Sequence, residues 1–222
     1  RAHGYCERTL EEVRDFLGNG AEKLMRRALP ETVGEEEFAE ILREYKAWYQ
    51  ANYCVKTRPY DGVPELLAAL KKAGVHILRN EHEHAILKGN SICFWGLELP
   101  IEYYHKPRSP KLKKEVMEKL IGKPGRNGMQ VLLAHNPKYG KTYYEWGADM
   151  ILSGHYHGGV VRFSEHHGLS SPQYLVLPPF CCGDFHKGNQ HMFVSAGLGE
   201  HTLPLRIRNP RELLVIDVKP SE

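Results

Sequence analysis

Three histidines are the residues best placed by type and spacing to do chemistry: His135, closing "VLLAH", and His155 and His157 in "ILSGHYHGG". Each follows an apolar run of the kind that forms a buried strand. The end of such a strand is where α/β folds gather ligand-binding groups. Glycines at 154, 158 and 159 allow a sharp turn and close backbone approach around the His-x-His pair. Neutral imidazole is a good ligand for Zn, Mn, Fe or Ni, and carboxylates commonly complete such sites. A pair of surface histidines in a glycine-rich turn is the plainer alternative. The strand context and His135 together favour divalent-metal ligation.

The elements that must position these residues fall into two halves. Residues 1–74 read almost wholly as helix. Thr9 and Glu12 form a capping-box pattern ahead of "LEEVRDFL", with Gly18 as a stop. "AEKLMRRAL" is a second helix. A third, "EEEFAEILREYKAWYQANY", puts Phe38, Ile41, Leu42, Tyr45, Trp48 and Tyr49 on one face, read as a core stripe. "VPELLAALKKAG" is a fourth, ending at Gly74. From Val75 the pattern turns to strands: "VHIL", "HAIL" and "SICFWGLEL", with Lys88, Gly89 and Asn90 as a hairpin connection. Helices "SPKLKKEVMEKLI" and "PKYGKTYYEWG" alternate with the strands "MQVLLAH" and "ADMILSG". Strands "VVRF", "MFVSA" and "ELLVIDV" follow. The expected fold class is α/β, with a helical segment over 1–74 and an α/β domain over 75–222.

Composition narrows the function classes. In 222 residues, 41% are hydrophobic and 26% charged, the profile of an ordinary globular protein. A net charge of +3 without a Lys/Arg block gives no indication of nucleic-acid binding. No apolar run approaches membrane-spanning length. The five cysteines lack any C-x-x-C spacing, which favours free thiols and a cytoplasmic setting. Cys181 and Cys182 are read as buried thiols rather than ligands. The chain starts "RAHGYCERT", without an initiator methionine, and this reads as mid-chain sequence.

The segments "LLAHNP", "GADMILSGHYHGG" and "VSAGLGEHTLPLRIRNPRELLVIDV" resemble the carboxy-terminal half of calcineurin-like metallophosphoesterases, over about residues 75–219. That resemblance implies part of an α/β/β/α sandwich holding two divalent ions. It implies hydrolysis of a phosphomonoester or phosphodiester in a phosphorylated small molecule, with water acidified and phosphoryl charge neutralised by the ions. It also implies His135 and His155 on one metal, His157 on the other, and His186 beside the substrate. The family's earlier motifs (Asp-x-His, Gly-Asp-x-x-Asp, Gly-Asn-His-Asp/Glu) do not occur before residue 135. "RNEHEH" lacks the glycine, and "KGNSI" has Ser91 where histidine belongs. Impaired hydrolysis by this chain is the expectation.

Residues 1–74 resemble something different. "RAHGYCERTLEEVRDFLGNGAEKLMRRALP" and "TRPYDGVPELLAALKKAG" are similar to the cap and return helix of phosphoglycolate phosphatases of the haloacid-dehalogenase superfamily. The aspartyl nucleophile motif that family requires, Asp-x-Asp-x-Thr, is not present. The two resemblances meet inside "LKKAGVHIL", which reads as a junction, genomic or arising in sequence assembly. Two alternatives to a metallophosphoesterase remain: a fragment of a phosphoglycolate phosphatase, and a non-catalytic metal-binding or interaction protein. Among secondary candidates, "EHHG" and "GDFHKGNQH" read as solvated loops. Arg206, Arg208 and Arg211 suit phosphate recognition, with a structural or rim role favoured.

Overall fold

The computed structural model describes residues 3–18, 20–105, 109–172, 175–199 and 205–219. The chain divides into two compact units, Arg1–Val75 and His76–Glu222.

The first unit holds four helices: α1 (Leu10–Phe16), α2 (Gly20–Ala28), α3 (Glu35–Asn52) and α4 (Val63–Lys72). The expected capping box opens α1: Glu12 N–H donates to Thr9 Oγ1 and Thr9 N–H donates to the Glu12 carboxylate. Glu35, Glu36 and Glu37 fill the first turn of α3, where carboxylates favour the helix dipole. Arg26 grips the Glu35 carboxylate with both Nη atoms, at 3.0 and 2.7 Å, and lies over the Phe38 ring. Of the expected apolar stripe on α3, only Phe38 and Ile41 are buried. Trp48 and Tyr49 are 63% and 53% exposed, and the α4 leucines 66, 67 and 70 also face solvent. Helical periodicity marks a face able to be buried. Four short helices offer too little facing surface to bury it.

In the second unit the elements run β1 (His82–Leu87), β2 (Asn90–Leu97), α5 (Lys114–Ile121), β3 (Met129–Ala134), α6 (Gly140–Trp146), β4 (Met150–Ser153), β5 (Gly183–Lys187) and β6 (Gln190–Val194). They make one six-stranded sheet in the order β1-β2-β3-β4-β6-β5. The four central strands are parallel, and β1 and β5 are antiparallel edges joined to β2 and β6 by hairpins. The fold is α/β, as its alternation of strands and helices implies.

Helices α5 and α6 supply the core against one sheet face. Met117 and Ile121 from α5, and Tyr143 and Trp146 from α6, cluster with Cys93, Trp95, Leu132, Ile151, Met192 and Val194. The large polar-edged rings are satisfied. Trp95 Nε1 donates to Gln130 Oε1 at 2.9 Å, Trp146 Nε1 to Gly122 O at 2.9 Å, and Tyr143 OH to Asn136 O at 2.8 Å. Burying each such side chain stabilises by roughly 1.5–3 kcal/mol. The opposite face carries Phe94, Val131, Leu133, Leu152 and Phe193, as the register dictates, and Leu133 is 38% exposed.

Several expected strands differ. "VHIL" is irregular, "VVRF" makes only isolated bridges at Val161 and Arg162, and "ELLVIDV" is not paired. Leu213 and Val215 are 80% and 89% exposed. β-Branched sequence alone does not make a strand without a ladder partner. Conversely, "GDFHK", expected to be loop, is β5. The first hairpin turns on Lys88 and Gly89 alone, both with positive φ, and Asn90 already belongs to β2. No helix among the described residues is long and apolar enough to cross a membrane.

Candidate functional site

Strands β3 and β4 are parallel neighbours, so their carboxy-terminal ends open on the same side. His135 directly follows β3, and Gly154, His155 and His157 follow β4. Gly154 N–H donates to His135 O at 3.0 Å, and Ser153 Oγ to Ala134 O at 2.6 Å, tying the two strand ends together. The His135 and His155 rings consequently lie 5.0 Å apart, at 67°. Tyr104 stands edge-on to His155 on its other side, at 5.5 Å.

The histidine loop is held in an uncommon backbone conformation. His155, His157, Gly158, Gly159 and Val160 all have positive φ, from 48° to 77°. For non-glycine residues, and for a β-branched one above all, this is strained, and persists only where surroundings enforce it. The enforcement is visible. Asn209, 2% exposed, donates from Nδ2 to His157 O at 2.6 Å and lies directly over Gly158. Tyr156, fully buried, clusters with Cys181 and Cys182. Burial pushes its hydroxyl far above the ordinary tyrosine value, so it stays protonated.

His135 is held below the usual histidine value, first by burial and then by the charge of His157. The neutral form, with a lone pair to donate, is therefore favoured at neutral pH. The residue nonetheless stands exposed at the end of its strand. Beside it, Lys138 donates to Ser109 Oγ, and Tyr139 OH donates to Tyr103 O at 2.8 Å. Burial lowers the Lys138 ammonium.

The structure thus brings His135 and His155 together, and His157 follows two positions further along the same loop. It does not bring His186 to them. His186 sits on β5 opposite His191, which is in register with Met150 at the far end of β4. That is about 10 Å back along the strands from the histidine loop. The donors fit a divalent ion in kind, as neutral imidazoles. They fall short in number: among the described residues no three His, Cys, Asp or Glu side chains converge to hold a metal. Glu145 is exposed, and Asp149 Oδ2 accepts from Gln130 N–H at 2.7 Å, a strand-end tie rather than a ligand role. Cys181 and Cys182 are buried free thiols, as expected. Tyr104 and Asn209 escaped sequence reasoning, because each meets the histidine loop through a contact distant in sequence.

No protein-family model and no solved structure matches the chain. Similarity to characterised and uncharacterised phosphatases comes in two parts. Over 74 residues the chain is 38% identical to an N-acetylmuramic acid 6-phosphate phosphatase of Pseudomonas aeruginosa, covering 33% of each protein. A phosphoglycolate phosphatase of Thiobacillus denitrificans is 31% identical over 93 residues, covering 38% of this chain and 41% of that protein. These matches fall in the amino-terminal part. An uncharacterized metallophosphoesterase of Helicobacter pylori is 29% identical over 167 residues, covering 73% of this chain and 40% of that protein. The chain spans between a third and about two-fifths of the length of these relatives.

Proposed function

We propose that the His76–Glu222 unit is a metallophosphoesterase-type phosphoester hydrolase domain, and that His135, His155 and His157 are its contribution to a divalent-metal centre. The observation that carries this reading is the convergence of His135 and His155 at the ends of two adjacent parallel strands, with the His135 imidazole kept neutral. The similarity to metallophosphoesterases over most of the chain supports a phosphoester as substrate, in a phosphorylated small molecule. The metal is Mn, Fe, Zn or Ni by ligand chemistry, and a dinuclear centre is the arrangement the resemblance implies. His186 serves in this reading only as a remote substrate contact. The Arg1–Val75 unit is a cap-like helical segment, joined at a chimeric boundary. The five free thiols support a reducing, cytoplasmic compartment.

With imidazoles alone, and no carboxylate converging on them among the described residues, this chain hydrolyses phosphoesters near background. The alternative of a non-catalytic metal-binding or interaction protein differs in expecting no turnover at all. Calorimetric titration with Mn²⁺ and Zn²⁺, beside a His155→Ala/His157→Ala variant, tests the ligand assignment. Saturable binding lost in the variant is expected; no specific binding overturns it. Robust metal-dependent turnover of p-nitrophenyl phosphate, abolished by His155→Ala, would overturn the impairment.

A further inference from the structure

The β1–β2 hairpin carries a thiol and two imidazoles away from the histidine loop. Its antiparallel register sets His82 opposite Trp95 and His84 opposite Cys93. Directly opposed residues of such a pair project from the same face of the sheet. Here it is the face covered by α5 and α6, because Cys93 and Trp95 belong to the cluster those helices build. β1 is the edge of the sheet, however, and both of its histidines are exposed. An exposed imidazole therefore stands against a core thiol: Cys93 is 1% exposed, and its Sγ lies 3.7 Å from His84 Nε2. The His82 ring packs on Trp95 at 4.3 Å and meets His84 edge-on at 5.5 Å, which steadies the pair from one side.

The separation of the two donors suits a single bridging ion. Bonds of about 2.3 Å to sulfur and about 2.0 Å to imidazole nitrogen hold the two atoms between about 3.6 Å (tetrahedral) and about 4.3 Å (linear) apart. The observed 3.7 Å lies inside that range, so an ion enters with little movement of either strand. Thiolate is the soft ligand that selects Cu(I), and imidazole also suits copper. A closed-shell monovalent ion of this kind is satisfied by two donors, where structural zinc takes four. Burial, and then the charge of Glu83, raise the Cys93 thiol, so it keeps its proton at neutral pH until an ion displaces it. On binding, the S–H bond breaks, an S–Cu bond forms and the proton leaves to solvent, with no change of oxidation state.

We propose that His84 and Cys93 form a two-coordinate Cu(I) site at the β1–β2 hairpin, with His84 Nε2 and the Cys93 thiolate as its ligands. The site is separate from the histidine loop and stands independently of the function proposed above.

The test is anaerobic titration of the full chain with Cu(I), in competition with a chromophoric Cu(I) chelator. A Cys6→Ser/Cys54→Ser background removes the two exposed thiols, and Cys181 and Cys182 stay unchanged in every variant. One equivalent of Cu(I) is expected to be lost, or weakened at least about 100-fold, in both His84→Gln and Cys93→Ala. The same equivalent is expected to survive in His155→Ala/His157→Ala, which separates this site from the metal reading. His84 is exposed, so His84→Gln leaves the core intact and keeps the comparison valid should Cys93→Ala fold poorly. Histidine ¹⁵N NMR gives a second readout, because Cu(I) is diamagnetic. The Nε2 resonance of His84 should move on adding Cu(I), and should stay in place in Cys93→Ala. Cu(I) binding indifferent to His84→Gln, loss of the equivalent in His155→Ala/His157→Ala, or a His84 resonance unmoved by Cu(I) overturns the proposal.

Discussion

Replacing Gly158 with alanine tests whether Asn209 enforces the conformation of the histidine loop. A Cβ at this position would stand 2.7 Å from Asn209 Cγ and 2.9 Å from Nδ2, and closer still to Oδ1. Asn209 cannot swing aside freely, being 2% exposed and bonded to His157 O. Three effects add. Alanine at φ +68° costs about 1 kcal/mol relative to glycine. Forcing side-chain atoms into an occupied space costs roughly 1–3 kcal/mol. Displacing the Asn209 hydrogen bond costs about 1 kcal/mol more. The expected destabilisation is about 3–5 kcal/mol, a large part of the stability of a typical domain. Urea unfolding in a Trp48→Phe background is the assay. It leaves Trp95 and Trp146, 4% and 1% exposed, as the reporters of the His76–Glu222 unit. The same glycine replacement in an Asn209→Ala background should cost only about 1 kcal/mol, the backbone part alone. Equal losses in both backgrounds, or a loss below about 0.5 kcal/mol in the first, would refute the reasoning.

Two further outcomes follow from the site and the core beneath it. Gln130→Leu leaves the buried Trp95 Nε1–H, and the carbonyls of Asn127 and Gly128, without their side-chain partners. A loss of about 2 kcal/mol in urea unfolding and a shifted tryptophan emission are expected; an unchanged midpoint counts against that network. His135 has a folded value below its ordinary 6.5, so the unfolded chain binds its proton first as pH falls. The stability it contributes is complete above 6.5 and is lost as pH drops from there toward the depressed folded value. Urea midpoints measured between about pH 7.5 and about pH 5 should fall less steeply in His135→Gln; identical slopes contradict the assignment.

The parts legible in the sequence were those whose physics is local. Thr9 and Glu12 cap α1 because both partners lie within one turn. "MQVLLA" and "MILS" are parallel strands because continuous apolar runs suit a strand flanked on both sides. The histidines that follow them inherit their common end of the sheet. The illegible parts depend on who pairs with whom. β5 alternates two polar residues with Phe185 and hides its partner in the strand after the turn, so "GDFHK" reads as loop. "ELLVIDV" has the composition of a strand and no ladder to join among the described residues. Asn209 and His157 meet across many residues of chain, and no pattern near either one announces it.

The sheet's mixed direction also bears on how the unit assembles. Its flanks, β1 with β2 and β5 with β6, are hairpins closed by two-residue loops, contacts that form within microseconds. Its centre joins strands that are distant in the chain, as where Met150 meets His191. Such pairings await the closure of long loops and set the rate. The two hairpins therefore arise early and the parallel centre late. The histidine loop, which exists only where β3 and β4 end side by side, needs the shortest of the three parallel closures, and so follows the hairpins but precedes the joining of β2 to β3 and of β4 to β6.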